Sequence, residues 1–288
     1  MNIENEIKKA NILIEALPYI RRFYGKTIVI KYGGSAMVDE NLRANFAKDI
    51  VLLKFIGINI IIVHGGGPQI NTLLKRVGVK SKFVNGLRIT DNETMELVEM
   101  VLSGNVNKDI VNLINKMGGK AIGLSGKDGP IIRVEKKKMY SDNKFVDLGQ
   151  VGIITAINSE LIKQVESSYI PVIAPIGVDE EFVTYNINAD MVAGYLAASL
   201  NAEKLIVLTD VEGLLDKSGK LVSTITLDKL ESLNSEGYIN GGMIPKLEAV
   251  IHAVRSGVNK VHIINGTIIH SLLLELFTDK GIGTQIVR

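Results

Sequence analysis

Five short runs of apolar, mostly β-branched residues recur along this 288-residue chain, and helix-length segments separate them. Each run is apolar at consecutive positions rather than at alternate ones, so a strand built from it must be buried on both faces. Strands of this kind are typical of a parallel sheet that helices cover on each side. The predicted strands are residues 27–30, 58–63, 170–173, 204–208 and 261–264.

The segments between these strands carry the periodicity of amphipathic helices. One apolar stripe is formed by Met243, Leu247 and Val250 and continues to Val254. Such a stripe indicates a helix that buries one face. Strands that alternate with helices predict an α/β fold, with helices on both faces of a mainly parallel open sheet. The predicted helices cover residues 39–56, 68–77, 189–200 and 243–254.

A longer helical pattern begins at residues 90–93, which have capping-box spacing, and runs to about Met117. Gly104, Asn105 and Asn107 interrupt its apolar stripe. Either the helix bends at this point or an asparagine faces a ligand, and the pattern favours neither interpretation.

Two features concern the organisation of the chain. Residues 131–157 change to a two-residue periodicity around the turn-like residues 141–143, which predicts a β-hairpin excursion. The segment 175–177 (Pro-Ile-Gly) is the best candidate for a break between two lobes. We therefore predict lobes at residues 25–178 and 179–288, with one sheet continuing across the break.

The first residues have an apolar pattern of their own. Its members recur at steps of 4, 3, 4 and 3 residues and are Ile3, Ile7, Ala10, Ile14 and Leu17. This spacing predicts an amphipathic N-terminal helix within residues 1–24, with a coiled-coil-type seam that ends at Pro18. On the pattern alone, the seam packs either on its own chain or against a helix of another subunit.

The composition excludes several classes of function. The charges nearly cancel, with 33 basic and 31 acidic residues, which argues against a nucleic-acid or membrane-surface binder. Cysteine is absent, which excludes disulfides, thiolate metal sites and a cysteine nucleophile. The four histidines have no metal-ligand spacing, so we expect no metal held by the protein. No apolar stretch is long enough for a bilayer, and Glu4 and Glu6 do not suit a secretory signal.

Three glycine-rich turns lie beside predicted strands or helices. They contain Gly33-Gly34, Gly65-Gly66-Gly67 and Gly241-Gly242. Glycine lets the backbone approach a ligand closely, and free N–H groups at a helix start bind anions. Lys31 and Lys246 stand next to two of these turns, and a lysine in a first helical turn is unfavourable unless an anion lies beside it. No Walker A or dinucleotide-binding glycine pattern is present.

With these turns, six segments make the chain resemble the amino acid kinase family over nearly all of its length. Their order and spacing agree with those of the family. The segments are KYGGS (31–35), VHGGGPQ (63–69), GLRITD (86–91), NINAD (186–190), LTDVEG (208–213) and GGMIPK (241–246).

The resemblance implies a three-layer αβα sandwich, in which the first lobe binds an acceptor and the second binds ATP. It further implies the branch that uses ATP with Mg2+ to phosphorylate the side-chain carboxylate of N-acetyl-L-glutamate, in arginine biosynthesis. Lys31 and Lys246 would then stabilise the transition state, and Asp190 would orient them. The acceptor would be bound by Gly66, Gly67, Arg88 and Asn186. The nucleotide side would be formed by Gly33, Gly34, Thr209, Asp210, Gly241 and Gly242.

This reaction agrees with the residue chemistry. A carboxylate acceptor is already ionised at neutral pH, so no general base is needed. The difficulty is to bring one anion to another, which positive charge and positioning overcome. On the residues alone, a simple helix N-cap is a good interpretation of Asp190, and a surface residue is the favoured interpretation of Arg88.

The N-terminal helix and residues 270–284 are similar to those of arginine-inhibited members, which are hexamers joined by swapped N-terminal helices. This favours packing of the seam between subunits. The similarity makes five residues candidates for an L-arginine site: Tyr19, Lys204, His270, Glu275 and Gly281. We expect a cytoplasmic protein, or a stromal one if it is plastid-encoded. Whether a PII-type signalling protein binds is left open.

Two alternatives differ in function. Another member of the family would phosphorylate L-glutamate, aspartate, carbamate or UMP. A protein that had lost catalysis would only sense arginine, but the intact Lys31, Asp190 and Lys246 argue against it.

Overall fold

A computed structural model describes residues 3–141, 144–216, 218–235 and 243–288. The helices are α1 (Ile3–Phe23), α2 (Glu40–Phe55), α3 (Gly67–Arg76), α4 (Asn92–Glu99), α5 (Asn107–Lys116), α6 (Glu160–Glu166), α7 (Ala189–Ser199), α8 (Leu227–Ser235), α9 (Ile244–Arg255) and α10 (Ser271–Leu276). The strands are β1 (Thr27–Tyr32), β2 (Asn59–His64), β3 (Phe83–Val84), β4 (Leu87–Arg88), β5 (Ala121–Ser125), β6 (Ile132–Lys136), β7 (Met139–Ser141), β8 (Lys144–Val146), β9 (Gly152–Ile157), β10 (Ile170–Ala174), β11 (Ile176–Val178), β12 (Thr184–Asn186), β13 (Lys204–Thr209), β14 (Thr224–Thr226), β15 (Lys260–Asn265) and β16 (Thr284–Val287).

The five predicted strands correspond to β1, β2, β10, β13 and β15. Within the described residues they lie in a sheet of eight strands, in the order β14-β16-β15-β13-β1-β2-β10-β5. All neighbouring pairs are parallel except β15 and β16. Alternate residues of β1 enter different cores: Ile28 and Ile30 pack on one face of the sheet, and Val29 packs on the other. This confirms the prediction of strands buried on both faces and an α/β fold.

The predicted break lies where the chain leaves this sheet. Strand β10 ends at Ala174, and β11 joins a smaller sheet of order β12-β11-β6-β9. The eight-stranded sheet takes strands from both sides of residues 175–177. The excursion over residues 131–157 contains the antiparallel pairs β6–β9 and β7–β8. Residues 142 and 143 of its predicted turn lie outside the described residues.

The helix predicted from the capping-box spacing at residues 90–93 begins with a different cap residue. Asp91, not Thr90, caps helix α4, because its carboxylate accepts the N–H of Thr94 at 2.9 Å. The interruption is a π-helical turn, Met100–Val106, between α4 and α5. Asn107 follows that turn and donates its side-chain amide to the Val172 carbonyl at 2.8 Å. Because this amide bonds to the sheet backbone, Asn107 has a structural role. Of the two interpretations of the interruption, the bend in the helix therefore fits.

The prediction that the N-terminal helix ends at Pro18 is wrong, because α1 continues through Pro18 to Phe23. A proline removes one helical hydrogen bond, and burial of Phe23 at the end of the helix offsets that loss. Phe23 is only 1% exposed and packs in the core, with the Lys204 ammonium 5.2 Å from the centre of its ring. The seam itself is uncovered by this chain, since Ile3 is 72% exposed and Ile14 67%.

No helix within the described ranges combines the length and the apolar character that crossing a membrane requires.

Candidate active site

Two lysines share one carboxylate where β1, α7 and α9 meet. Lys31 is near the C-terminal end of β1, and Lys246 is in the first turn of α9. Each ammonium lies 3.1 Å from a different oxygen of Asp190, which is in the first turn of α7. Asp190 is not the helix N-cap, because the side chain of Asn188 accepts the N–H groups of Asp190 and Met191. The Asp190 carboxylate is thus free to face both lysines.

Because the site is buried, the pKa values of Lys31 and Asp190 depend on the charges beside them. Burial lowers the pKa of Lys31, the Asp190 carboxylate acts in the opposite direction, and the Lys246 ammonium lowers that pKa further. Burial alone would raise the pKa of Asp190, but the two ammonium groups outweigh it and hold that pKa below its ordinary value. The cluster carries a net charge of about +1, which suits an anionic ligand at its open side.

Close packing of α7 on α9 brings Lys246 within reach of Asp190. A Cβ on Gly194 would lie 2.7 Å from the carbonyl oxygen of Ala249, so glycine permits this helix approach. The next residue of α7, Tyr195, stacks its ring on that of His252 in α9, with centres 3.7 Å apart. The two helices therefore hold a fixed spacing at the end that carries the charged side chains.

A cavity of about 230 Å³ opens beside this cluster. All four residues predicted to bind the acceptor line this cavity: Gly66, Gly67, Arg88 and Asn186. Lys31 and Asp190 line it as well. Gly67 begins α3, whose first N–H groups have no partner within the helix. The cavity therefore offers a guanidinium, an ammonium and backbone donors to a small anion.

Arg88 is held in this cavity by its surroundings. The turn between β3 and β4 uses Asn85 (φ 48°) and Gly86 (φ 78°), the left-handed pair that a tight hairpin requires. The Arg88 guanidinium donates to the Asn71 side-chain oxygen at 2.8 Å, and it lies 4.6 Å from the centre of the Phe83 ring. Arg88 is 7% exposed, so it is not the surface arginine that its residue type alone suggests. Burial lowers its pKa, but a guanidinium stays charged at neutral pH.

Four of the six residues predicted for the nucleotide side lie around the ends of β1 and β13, which are neighbours in the sheet. A Cβ on Gly33 would come within 2.6 Å of the Lys31 ammonium, so glycine keeps the space over that lysine clear. Gly34 has a left-handed backbone (φ 69°), and Ser35 next to it donates its N–H to the Asp210 carboxylate at 2.7 Å. Thr209 ends β13. Gly241 and Gly242 lie outside the described residues.

A second cavity of about 470 Å³ lies below the C-terminal end of α1. Four of the five residues predicted for an arginine site line it: Tyr19, Lys204, Glu275 and Gly281. His270 does not, because its ring binds the Asp49 carboxylate at 2.6 Å on another side of α10.

His262, which no sequence pattern singles out, also lines this second cavity and pairs with the Glu275 carboxylate. That carboxylate is 6% exposed, accepts the N–H of Ile282 at 3.1 Å and lies 3.8 Å from the Lys204 ammonium. Burial lowers the pKa of Lys204 to about 8. Only the pairing of β13 with β15 brings His262 near Lys204, and the residue spacing carries no such signal.

Across the described ranges, no three histidine, aspartate or glutamate side chains gather closely enough to hold a metal ion.

Buried cations beside an anion-sized cavity, at the carboxyl ends of parallel strands, define the class of protein as one that handles an anionic group such as a phosphoryl group. Residues 26–265 match the sequence profile described as the amino acid kinase family. The chain belongs to this family, and it is an enzyme, a kinase that uses ATP as co-substrate.

Curated relatives match along the whole chain. The acetylglutamate kinase of Syntrophus aciditrophicus is 55% identical over 293 residues, with 99% of each chain covered. That of Thermoanaerobacter pseudethanolicus is 57% identical over 287 residues, covering 98% of this chain and 94% of the relative.

Among solved structures, N-acetylglutamate synthase from Neisseria gonorrhoeae with coenzyme A and N-acetyl-glutamate superimposes with a TM-score of 0.85 at 26% identity. The match covers 97% of this chain and 63% of that longer one. Carbamate kinase from Giardia lamblia shares the fold, with a TM-score of 0.65 at 16% identity over 91% of this chain and 98% of that one.

Proposed function

We propose that this chain transfers the γ-phosphoryl group of MgATP to the side-chain carboxylate of N-acetyl-L-glutamate, in arginine biosynthesis. The products are N-acetyl-L-glutamyl 5-phosphate and ADP. The observation that carries the proposal is the pair of lysines, each 3.1 Å from Asp190, beside a cavity that also holds Arg88. Full-length relatives named acetylglutamate kinase support the choice of acceptor.

The reaction needs no proton transfer. An oxygen of the acceptor carboxylate forms a bond to the γ-phosphorus, and the bond from that phosphorus to the bridging oxygen breaks with its electron pair going to ADP. Negative charge spreads over the transferring group and the leaving oxygen. Lys31 and Lys246 stabilise that charge, and Asp190 fixes their spacing without neutralising both. The histidines are not needed as bases.

The acceptor and the nucleotide approach from the two lobes, residues 25–178 and 179–288. The Arg88 guanidinium and the Asn186 amide bind the acceptor, and the backbone at Gly66 and Gly67 receives the carboxylate that reacts. Gly33 and Gly34 leave room for the γ-phosphate above Lys31. Nucleotide binding involves Thr209 and Asp210, together with Gly241 and Gly242.

The proposal is tested by ADP release from the purified protein with MgATP and either N-acetyl-L-glutamate or L-glutamate. We expect turnover with the acetylated acceptor and at least a hundredfold lower kcat/KM with L-glutamate. Equal turnover with both acceptors, or with neither, contradicts it.

We propose as a second function that L-arginine binds in the cavity below α1 and inhibits the enzyme. The cavity combines the buried Glu275 carboxylate, suited to a guanidinium, with the cations Lys204 and Lys260, suited to an α-carboxylate. A solved N-acetylglutamate synthase, 25% identical to this chain, was crystallised with L-arginine.

This regulatory proposal includes assembly through α1 into a hexamer. Its exposed seam, with Ile7 at 53% and Leu17 at 46% exposed, is apolar surface that a second α1 would cover. A thermal shift with L-arginine but not with D-arginine, together with inhibition, is the expected result. Light scattering that gives a monomer would contradict the assembly, and an absent shift would contradict the site.

A further inference from the structure

Thr90 lies at the junction of three segments that wall the acceptor cavity. Its N–H donates to the Leu148 carbonyl at 2.9 Å, and its own carbonyl accepts from the N–H of Gln150 at 2.6 Å. The carbonyl of Gln150 then accepts the N–H of Asn186 at 2.9 Å. Thr90 is fully buried, and it does not line the cavity itself.

The Thr90 hydroxyl connects two residues that do line the cavity. It donates to the main-chain carbonyl of Arg88 at 2.9 Å. It accepts from the side-chain nitrogen of Asn186 at 3.3 Å. No other side chain among those described bonds to both of these acceptor-side residues.

The single hydrogen of the Thr90 hydroxyl fixes which group donates in each of these two hydrogen bonds. A hydroxyl has one hydrogen, and a carbonyl can only accept. Because the Thr90 hydrogen is committed to the Arg88 carbonyl, Oγ1 can only accept from Asn186. The nitrogen of the Asn186 amide must therefore face Thr90, although the two ends of an amide have nearly the same shape. One N–H and the Oδ1 of Asn186 are left to bind a ligand.

We propose that Thr90 is a positioning residue, whose hydroxyl fixes the orientation of the Asn186 amide and thereby the affinity for the acceptor. This inference rests on the proposed acceptor site. Thr90 does not line the acceptor cavity, and none of its hydrogen bonds among the described residues goes to Lys31, Asp190 or Lys246. Its loss should therefore change acceptor binding rather than nucleotide binding or the transfer step.

The test compares Thr90→Val, which removes the hydroxyl at nearly constant shape, with Thr90→Ser, which keeps it. Thr94→Val is the matched control, since Thr94 is also buried, lies four residues further on, and is absent from the cavity lining. KM for N-acetyl-L-glutamate should rise about 5- to 20-fold in Thr90→Val. KM for ATP and kcat should stay within about threefold of the wild-type values, and Thr90→Ser should recover most of the acceptor affinity.

A double-mutant cycle separates this role from a general effect on the fold. In an Asn186→Ala background the amide is absent, so Thr90→Val should raise the acceptor KM less than twofold further. Equal effects of Thr90→Val in both backgrounds, equal changes in both KM values, or failure of serine to rescue would overturn the proposal. If valine is not accommodated, the pair Thr90→Ser and Thr90→Ala makes the same comparison with a smaller side chain.

Turnover by the wild-type enzyme separates a failure of the role of Thr90 from a failure of the proposed acceptor site. Turnover of N-acetyl-L-glutamate by the wild type, with an unchanged acceptor KM in Thr90→Val, would refute the role of Thr90 alone. No wild-type turnover of N-acetyl-L-glutamate would refute the proposed acceptor site and this role with it.

Discussion

Replacing Asp190 by asparagine tests the electrostatic arrangement of the site. The substitution keeps the shape of the side chain but removes the carboxylate that lies 3.1 Å from Lys31 and 3.1 Å from Lys246. The side chains of Lys31 and Asp190 are only 8% and 6% exposed, so solvent screens this pair little. Removing one partner of a buried ion pair typically costs about 3–5 kcal/mol of stability. The two ammonium groups would then repel each other without an anion between them.

The catalytic effect should be large and should depend on pH. Loss of one preorganised charge contact typically lowers kcat by about 10²–10³. Asp190 is the group that opposes the fall in the pKa of Lys31 caused by burial and by Lys246. Without it, Lys31 loses its proton at a lower pH. The fall in kcat on the alkaline side should therefore begin at a lower pH in Asp190→Asn than in the wild type.

The assay is kcat for ADP release between pH 6 and pH 10, with urea unfolding of each variant. Asp49→Asn is the matched control, because Asp49 is also a buried aspartate whose carboxylate contacts a basic side chain, that of His270, and it lies outside the cavity beside Lys31. It should change stability and leave the pH profile of kcat in place. An Asp190→Asn enzyme with kcat within threefold of wild type, or with an unshifted alkaline limb, would refute the reasoning.

Four further predictions follow from single contacts. Gly33→Ala places a methyl group within 2.6 Å of the Lys31 ammonium and should lower kcat at least tenfold at saturating substrates, measured by steady-state kinetics. Arg88→Lys loses the guanidinium fork that binds Asn71 and should raise the acceptor KM about tenfold, with the ATP KM as internal control. Glu275→Gln should abolish the thermal shift produced by L-arginine, and a retained shift would exclude this carboxylate from the site. Burial raises the pKa of Asp49 to about 6, so its protonated form stabilises the fold at low pH and this stabilisation is lost as pH rises. Urea unfolding should therefore show Asp49→Asn gaining up to about 3 kcal/mol relative to wild type between pH 4 and pH 7, and a constant difference would contradict that shift.

The five central strands of the sheet and the helices between them could be predicted because their signals are local, whereas the outer strands β5, β14 and β16 were not predicted. The strand predicted at 204–208 differs from β13 by one residue, since consecutive apolar positions require burial on both faces. The positions of Lys31 at a strand end and Lys246 in a first helical turn followed from the same patterns. Pro18 was misleading because tertiary packing of Phe23 extends the helix past it.

The parts that could not be predicted depend on contacts between distant segments. Asp190 has the sequence position of a helix cap, and only the structure places Asn188 in that role. His262 on β15 approaches Glu275 because α10 contacts that strand, which no spacing encodes. The link from Thr90 to Asn186 spans 96 residues and depends on a single hydroxyl.

In the proposed reaction, the side-chain carboxylate of N-acetyl-L-glutamate accepts the phosphoryl group. The most direct measurement is to trap the product with hydroxylamine, which converts an acyl phosphate into a hydroxamate, and to identify that hydroxamate by mass spectrometry. We expect N-acetyl-L-glutamate 5-hydroxamate in an amount equal to the ADP released, and none with Lys31→Met. Release of ADP with inorganic phosphate but without the hydroxamate would contradict the claim.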